Sequence, residues 1–402
     1  SCTILSQKCE KSIAAVVFGG SKCYNKEKAR KRTIMKNLSI MIKPASSLCN
    51  LRCRYCFYTD VAELRRVHSF GRMTEETTQR ILATIRAALE PGDRLTLAFQ
   101  GGEPTLAGLN YFRRVTETVH GWNSGASIRF SLQTNAVLLD EEWCRFLARE
   151  DFLVGISCDL LPECHDAARV DAGGAGTYAQ VTRAIRLLEK HGVQYNVLCT
   201  LTNQIARHPQ QVWKKMEQLK LQYVQFTPCL AGLESASDYA LTPQRFASFY
   251  TQLFRLWYAE LRKGNYRSVK LFDDVVNLLA YGVPTACGMG GACHPQLVVE
   301  ADGSVYPCDF YCLEEYCLGN LTQNSIRELL AAPAAAAFTG RAHTAPEKCK
   351  ACRFAAFCGG GCKRMQKETC CAGGAQFCGY GAFLEECLPQ LLEIARMQRR
   401  NR

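Results

Sequence analysis

The segment Cys49-Asn-Leu-Arg-Cys53-Arg-Tyr-Cys56-Phe-Tyr58 carries three thiols within eight residues. A single loop of that length can wrap three corners of an iron–sulfur cubane, and the spacing offers no fourth ligand nearby. A closed zinc site takes four ligands, and so does an ordinary electron-transfer [4Fe–4S] cluster. Three leave one iron open to a small chelating molecule, which is a catalytic arrangement. Ligand count alone leaves one alternative standing, a zinc site completed by a distant residue.

Outward from this loop, strands and helices alternate. Ser39–Ile42 reads as a strand running into the cysteine loop. A helix follows from about Thr74, an N-cap with Glu75 and Glu76 in the first turn. Its apolar residues Ile81, Leu82, Ile85 and Leu89 share one face, and Pro91–Gly92 ends it. Leu95–Phe99, Ile128–Leu132, Leu153–Ser157, Tyr195–Leu201 and Tyr223–Thr227 continue the series of short apolar strands. Helical stretches such as Glu141–Arg149 and Tyr178–His191 separate them. Six βα units imply an α/β fold with a parallel sheet and right-handed crossovers. They are too few for the eight-fold barrel, so a partial (β/α)6 barrel is the natural closure. Chemistry in such folds gathers where strands end, at Gln100–Pro104, Gln133–Asn135 and Ser157–Asp159. There Gly101-Gly102-Glu103-Pro104 follows the second strand, and adjacent glycines let a backbone approach a ligand closely.

Composition limits the remaining possibilities. The chain of 402 residues has room for one large domain and a smaller one, and 48% hydrophobic content is that of a globular protein. No run approaches a membrane span, and the early apolar stretch Ile13–Gly20 is short and lacks a basic start. A cytoplasmic, non-membrane protein is therefore expected. In that setting 24 cysteines point to metal ligation rather than disulfides. The net charge of +12 is concentrated partly in Lys26–Arg32 and Arg396–Arg402, read as solvated ends, so nucleic-acid binding is not expected.

Past about residue 285 the alternation stops and Gly and Cys become dense, with one amphipathic helix at Leu384–Arg396. A region so poor in apolar surface needs metal staples. We divide the chain into an extension (1–38), a barrel (39–265) and a cysteine-rich module (266–402). The module's ordered cysteines are Cys287, Cys293, Cys308, Cys349, Cys352, Cys358, Cys362 and Cys378, of which the last five read CxxC-x5-C-x3-C and then a more distant Cys. Eight thiols fit two four-cysteine clusters without remainder, a zinc ribbon is the alternative, and Cys312, Cys317, Cys370, Cys371 and Cys387 compete as ligands.

With CxxxCxxC after the first strand and Gly-Gly-Glu-Pro after the second, the chain resembles the radical S-adenosylmethionine (SAM) superfamily. That resemblance implies a [4Fe–4S] cluster on Cys49, Cys53 and Cys56 whose open iron is chelated by SAM. The reduced cluster then cleaves SAM to a 5′-deoxyadenosyl radical. It also places SAM near Tyr55, Gly101, Gly102, Glu103, Ser157 and Arg169. The module resembles the SPASM extension, implying an auxiliary cluster I on Cys287, Cys293, Cys308 and Cys362. Auxiliary cluster II would take Cys349, Cys352, Cys358 and Cys378, for three [4Fe–4S] clusters in all. Four strings, Ile42–Ser46, Phe99–Gly108, Ser131–Asn135 and Ser304–Tyr311, are similar to the anaerobic sulfatase-maturating enzymes.

Those enzymes oxidise a Cys or Ser in a sulfatase C/S-x-P-x-R motif to Cα-formylglycine, through hydrogen abstraction from Cβ. The resemblance makes Asp309 the general base and Gln100 a substrate contact. It implies a sulfatase or peptide substrate, a donor such as flavodoxin or ferredoxin, and a monomeric enzyme. The extension and the surplus cysteines keep a second reading open, a SPASM enzyme that forms thioether cross-links in ribosomally made peptides.

Overall fold

The computed structural model describes residues 37–340, 347–370 and 377–400. Nearly all of the expected extension, and Cys371, lie outside the described residues. Six strands form as the apolar segments predict: β1 (Asn37–Ile42), β2 (Arg94–Phe99), β3 (Ser127–Thr134), β4 (Leu153–Ser157), β5 (Tyr195–Leu201) and β6 (Tyr223–Pro228). Each pairs in parallel with the next. Strand order follows chain order without reversal, so the sheet winds in one sense as in a barrel and has no switch point of the doubly wound kind.

Helices cover the crossovers, and their ends obey local chemistry. Thr74 accepts a hydrogen bond from the Thr77 N–H and starts Glu75–Ala87, which buries Ile81, Leu82 and Ile85. Asp140 caps Glu141–Arg149 in the same way through the Trp143 N–H. Phe99, Phe112, Phe130 and Phe152 meet at ring distances of 5.0–6.5 Å and fill the space between sheet and helices.

Sequence periodicity missed one part of the sheet. β7 (Leu297–Val299) pairs in parallel with the free edge of β1, matching Ile40 to Leu297 and Ile42 to Val299. It then turns back antiparallel through β8 (Ser304–Tyr306), which pairs with β9 (Gly319–Asn320). Strands of two or three residues are too short to show alternation. Their turn is marked by Gly303, at φ +88°.

Packing divides the described chain into two compact units, but not by one cut. The larger holds the residues up to Ala240 together with His294 to Gly340. The smaller holds Leu241–Cys293 and the residues from Glu347 onward. The reason lies in helices Pro243–Arg262 and Lys270–Tyr281, which pack with the C-terminal helix Gly379–Arg400. Phe254, Phe272 and Phe383 meet there at 5.2–6.3 Å. The cysteine-rich end thus finds its apolar core partly upstream of residue 266.

Candidate active site

The cysteine loop leaves the C-terminal end of β1 and is clamped on two sides. From β2, the Gly102 N–H donates to Ser46 O (2.9 Å) and the Glu103 N–H to Leu48 O (2.8 Å). A Cβ on Gly102 would collide with the Leu48 carbonyl, and one on Gly101 would stand 2.9 Å from Ser46 O. In this structure the freedom of both glycines is spent on seating the loop. From the segment after β4, Arg52 N–H reaches Val170 O (2.7 Å) and Arg54 N–H reaches Ala168 O (3.0 Å). Glu103 is buried, and its carboxylate accepts from Thr105 N and Oγ1, Thr134 Oγ1 and Asn135 N. These donors fasten β2 to β3. Asn135 in turn points its Nδ2 at Asn50 Oδ1 (2.8 Å) and at Cys49 Sγ (3.9 Å).

Cys49, Cys53 and Cys56 are electrostatic neighbours on this loop. Burial pushes the Cys49 thiol up to about 12 and that of Cys53 to about 11, the latter although Arg169 opposes the rise. Thiols so raised stay protonated at neutral pH unless a cation holds the thiolate, which is what iron ligation supplies. Among the described residues no three His, Cys, Asp or Glu side chains close on a single metal-ion position. Three adjacent, partly buried thiols on a rigid loop fit a cubane, which spreads its ligands over separate irons.

Beside the loop, Tyr55 donates its hydroxyl to Asp159, while Arg169 holds the same carboxylate with Nε at 3.2 Å from Oδ2. Asp159 Oδ1 takes the Thr200 N–H (3.1 Å), so both oxygens are engaged, and Asp159 is fully buried. The Arg169 guanidinium also lies over the Tyr55 ring, 5.4 Å from its centre. His165 stiffens this segment. Its Nδ1 accepts from the Asp159 N–H (3.2 Å), which leaves the proton on Nε2, facing Thr177 Oγ1 (3.2 Å), and Thr177 donates to Arg169 O (2.9 Å). Ser157, by contrast, accepts from Gln133 Nε2 (3.0 Å), in a different cluster at the ends of β3 and β4.

The second carboxylate stands where β8 ends. Asp309 opens a short helical turn after Cys308 and is largely buried. Its Oδ2 accepts from Tyr58 (2.6 Å) and from Gln100 Nε2 (3.2 Å), and Gln100 also donates to the Tyr58 hydroxyl (2.8 Å). Its Oδ1 lies 2.9 Å from Lys43 Nζ. Lys43 is 1% exposed, and its ammonium also reaches Cys312 Sγ (3.2 Å) and Glu300 Oε1 (3.4 Å), the same oxygen that Arg65 holds at 2.9 Å. Burial alone would lower the Lys43 pKa, but the charges of Asp309, Cys312 and Glu300 outweigh it and raise it well above the ordinary value. Two cations and two carboxylates thus form a buried neutral tetrad, the condition under which such charges are tolerated.

Strand ends bring Lys43, Gln100 and Asp309 together from β1, β2 and β8. Sequence reading names Gln100 and Asp309, and the structure joins them. It misses Lys43, Tyr58, Glu300, Arg65 and Cys312. Tyr58 follows directly on the cysteine triplet, two residues past Cys56. Lys43 is a lone charge directly after an apolar strand, and that was its available signal. Glu103, expected against SAM, has its carboxylate taken up by protein donors.

In the smaller unit, Cys287, Cys293 and Cys362 are neighbours, and burial raises the Cys287 thiol ahead of its two partners' charges. Gly288, at φ +75°, lies so close to Cys362 that a Cβ would stand 2.6 Å from it. Cys349, Cys358 and Cys378 form a second group, and the Cys352 N–H bonds to Cys349 O (3.3 Å). Cys308 belongs to the larger unit.

Comparison with known proteins then decides the family. Residues 44–217 match the radical SAM superfamily, and residues 291–353 match an iron–sulfur cluster-binding domain, SPASM. A cysteine-type anaerobic sulfatase-maturating enzyme of Clostridium perfringens is 39% identical over 368 residues, 90% of this chain and 99% of that protein. The chain belongs to the anaerobic sulfatase-maturating enzymes. A serine-type enzyme of this family from Bacteroides thetaiotaomicron is 28% identical, over 82% of this chain and 83% of its own. The solved structure of native anSMEcpe with bound AdoMet and Kp18Cys peptide superposes with a TM-score of 0.82 at 36% identity, covering 90% of this chain and 99% of that one. The family is built on SAM and three [4Fe–4S] clusters, and membership makes this chain a radical SAM oxidoreductase. Among the described residues no helix is long and apolar enough to cross a membrane.

Proposed function

We propose that the protein is a cysteine-type member of the family, oxidising the cysteine of a sulfatase C-x-P-x-R segment to Cα-formylglycine with Asp309 as general base. The observation that carries this reading is the Asp309 carboxylate, held at Oδ1 by Lys43 and approached at Oδ2 by Tyr58 and Gln100. Higher identity to the cysteine-type relative than to the serine-type one supports the choice of target.

The oxidation balances when Cβ loses a hydrogen atom, the thiol loses its proton and one electron leaves the side chain. When bound, SAM on the Cys49–Cys53–Cys56 cluster supplies the radical that takes the hydrogen atom, and the auxiliary clusters supply an electron acceptor. The chain's own residues do the rest. Asp309 Oδ2 receives the thiol proton, a task decided by hydrogen-bond reach. Tyr58 and Gln100 hold that oxygen in place, and Lys43 fixes the other. Arg169 and Asp159 keep the Tyr55 side of the cysteine loop rigid. Water then converts the thioaldehyde to the aldehyde with release of hydrogen sulfide. The enzyme works as a monomer and takes its reducing electrons from flavodoxin or ferredoxin.

The test is anaerobic incubation of the reconstituted enzyme with SAM, a strong reductant and a C-x-P-x-R peptide, followed by mass spectrometry. The expected product has exchanged sulfur for oxygen and lost two hydrogens, and the S-x-P-x-R peptide reacts more slowly. A peptide recovered unchanged while SAM is consumed overturns the reading. A product that keeps its sulfur and loses two hydrogens replaces it with thioether chemistry.

A further inference from the structure

The second cysteine group of the smaller unit contains one thiol more than a cluster uses. Cys370 is 2% exposed and lies between two expected ligands. It hydrogen-bonds with Cys358 on one side and with Cys378 on the other. Its Sγ also meets Gly360 O (3.6 Å) and accepts from Thr369 Oγ1 (3.6 Å). The backbone ties the two candidate corners together, because the Gly379 N–H donates to Cys370 O (3.0 Å) and the Gly381 N–H donates to Cys378 Sγ (3.3 Å).

We propose that Cys370 is a fifth thiol of this cluster site, interchangeable with Cys378 as the ligand that completes the set begun by Cys349, Cys352 and Cys358. The inference rests on the reading of this module as a cluster domain and adds to it the identity of its fourth corner. A [4Fe–4S] cluster with no open iron takes four protein ligands, and the structure offers two thiols in mutual contact for the last of them. Burial distinguishes them, since Cys378 is partly exposed where Cys370 is enclosed. A buried cysteine without a metal role behaves as a small hydrophobe, but this one is enclosed by sulfur and oxygen donors and acceptors. When Cys378 ligates, the Cys370 S–H remains to donate to a ligand sulfur, and such hydrogen bonds set cluster potentials. When Cys378 is absent, Cys370 is already in contact with the remaining ligand Cys358.

The experiment uses the full chain, reconstituted anaerobically with ferrous iron and sulfide, and counts iron and sulfide per chain. At four irons per cluster, wild type, Cys378→Ala and Cys370→Ala each retain about twelve irons, and Cys370→Ala/Cys378→Ala falls to about eight. In Cys370→Ala the midpoint potential of one cluster, followed by electron paramagnetic resonance, moves to a more negative value. Circular dichroism reports that each variant is folded, and the serine pair Cys370→Ser/Cys378→Ser gives the same comparison if the alanine pair does not fold. About eight irons in either single variant, or about twelve in the double, overturns the exchange. About four irons in the wild type instead overturns the cluster reading on which it rests.

Discussion

Two tyrosine–aspartate–cation triads start from tyrosines three residues apart, Tyr55 inside the cysteine loop and Tyr58 just past it. Tyr55 meets Asp159 and Arg169, and Tyr58 meets Asp309 and Lys43. Their members are alike in kind, but their surroundings differ. Asp159 is fully buried, and its oxygens are taken by a backbone amide, a tyrosine and a guanidinium that stays charged. Asp309 retains 10% side-chain exposure, and its Oδ2 partners are a phenol and an amide on separate elements. Each carboxylate has three partners, but only that of Asp309 is partly exposed, where a substrate proton can reach it. The same three residue types serve as brace in one place and, in the role proposed for Asp309, as base in the other.

The largest expected effect tests that division directly. Asp309→Asn should lower aldehyde formation by roughly 10²–10⁴ while 5′-deoxyadenosine still appears, because the proposed general base is lost and the SAM side is untouched. Asp159→Asn should instead reduce both products together and lower retained iron. If Asp309→Asn stops SAM cleavage as well, the two triads are not separable.

Next comes the buried tetrad. Lys43→Met leaves Asp309 and Glu300 facing each other across a site without its central cation, at a cost of about 3–5 kcal/mol in denaturant unfolding. Adding Glu300→Gln should recover part of that loss, and strict additivity of the two changes would deny the coupling.

The brace also has a pH signature. Burial pushes His165 down to about 4 from 6.5, so the folded chain refuses a proton that the unfolded chain accepts between those values. Stability from this residue is complete above pH 6.5 and is lost as pH falls toward 4, amounting to about 3 kcal/mol. Denaturation curves across that window should flatten in His165→Gln, and an unchanged slope would remove His165 from the account.

The smallest effect is a single hydroxyl. Tyr58→Phe removes one hydrogen bond to a charged oxygen, about 1.5–3 kcal/mol, so aldehyde formation should fall by roughly 10- to 100-fold with SAM cleavage retained. Tyr55→Phe should shift the loss to SAM cleavage. Equal behaviour of the two would erase the distinction.

The brace was more legible in the sequence than the base. Each of the strands β1–β6 shows in its apolar run, and Thr74 and Glu141 mark helix starts by local chemistry that needs no tertiary context. The cysteine loop follows from motif spacing, whereas Arg169 is named only through the family resemblance, as a SAM contact. The contacts of Asp309 with Tyr58 and Lys43 span 251 and 266 residues and depend on a three-residue strand that leaves no periodic trace. Glu103 teaches the reverse lesson. Its motif was readable, but a carboxylate satisfied by Thr105, Thr134 and Asn135 cannot be told from a ligand-facing one until those donors are placed.

The hairpin beside β1 has a consequence for biosynthesis. Until residues 297–306 emerge from the ribosome, the first strand of the barrel has no neighbour on one side. At about 5–20 residues per second, roughly 13–50 seconds of translation separate the completion of β1 from the arrival of its cover. Through that interval the nascent chain carries an open apolar strand edge, the kind that invites pairing with another chain. The hairpin that closes this edge leads directly into Cys308 and Asp309, so the proposed proton acceptor arrives with the last strands to join the barrel's first edge.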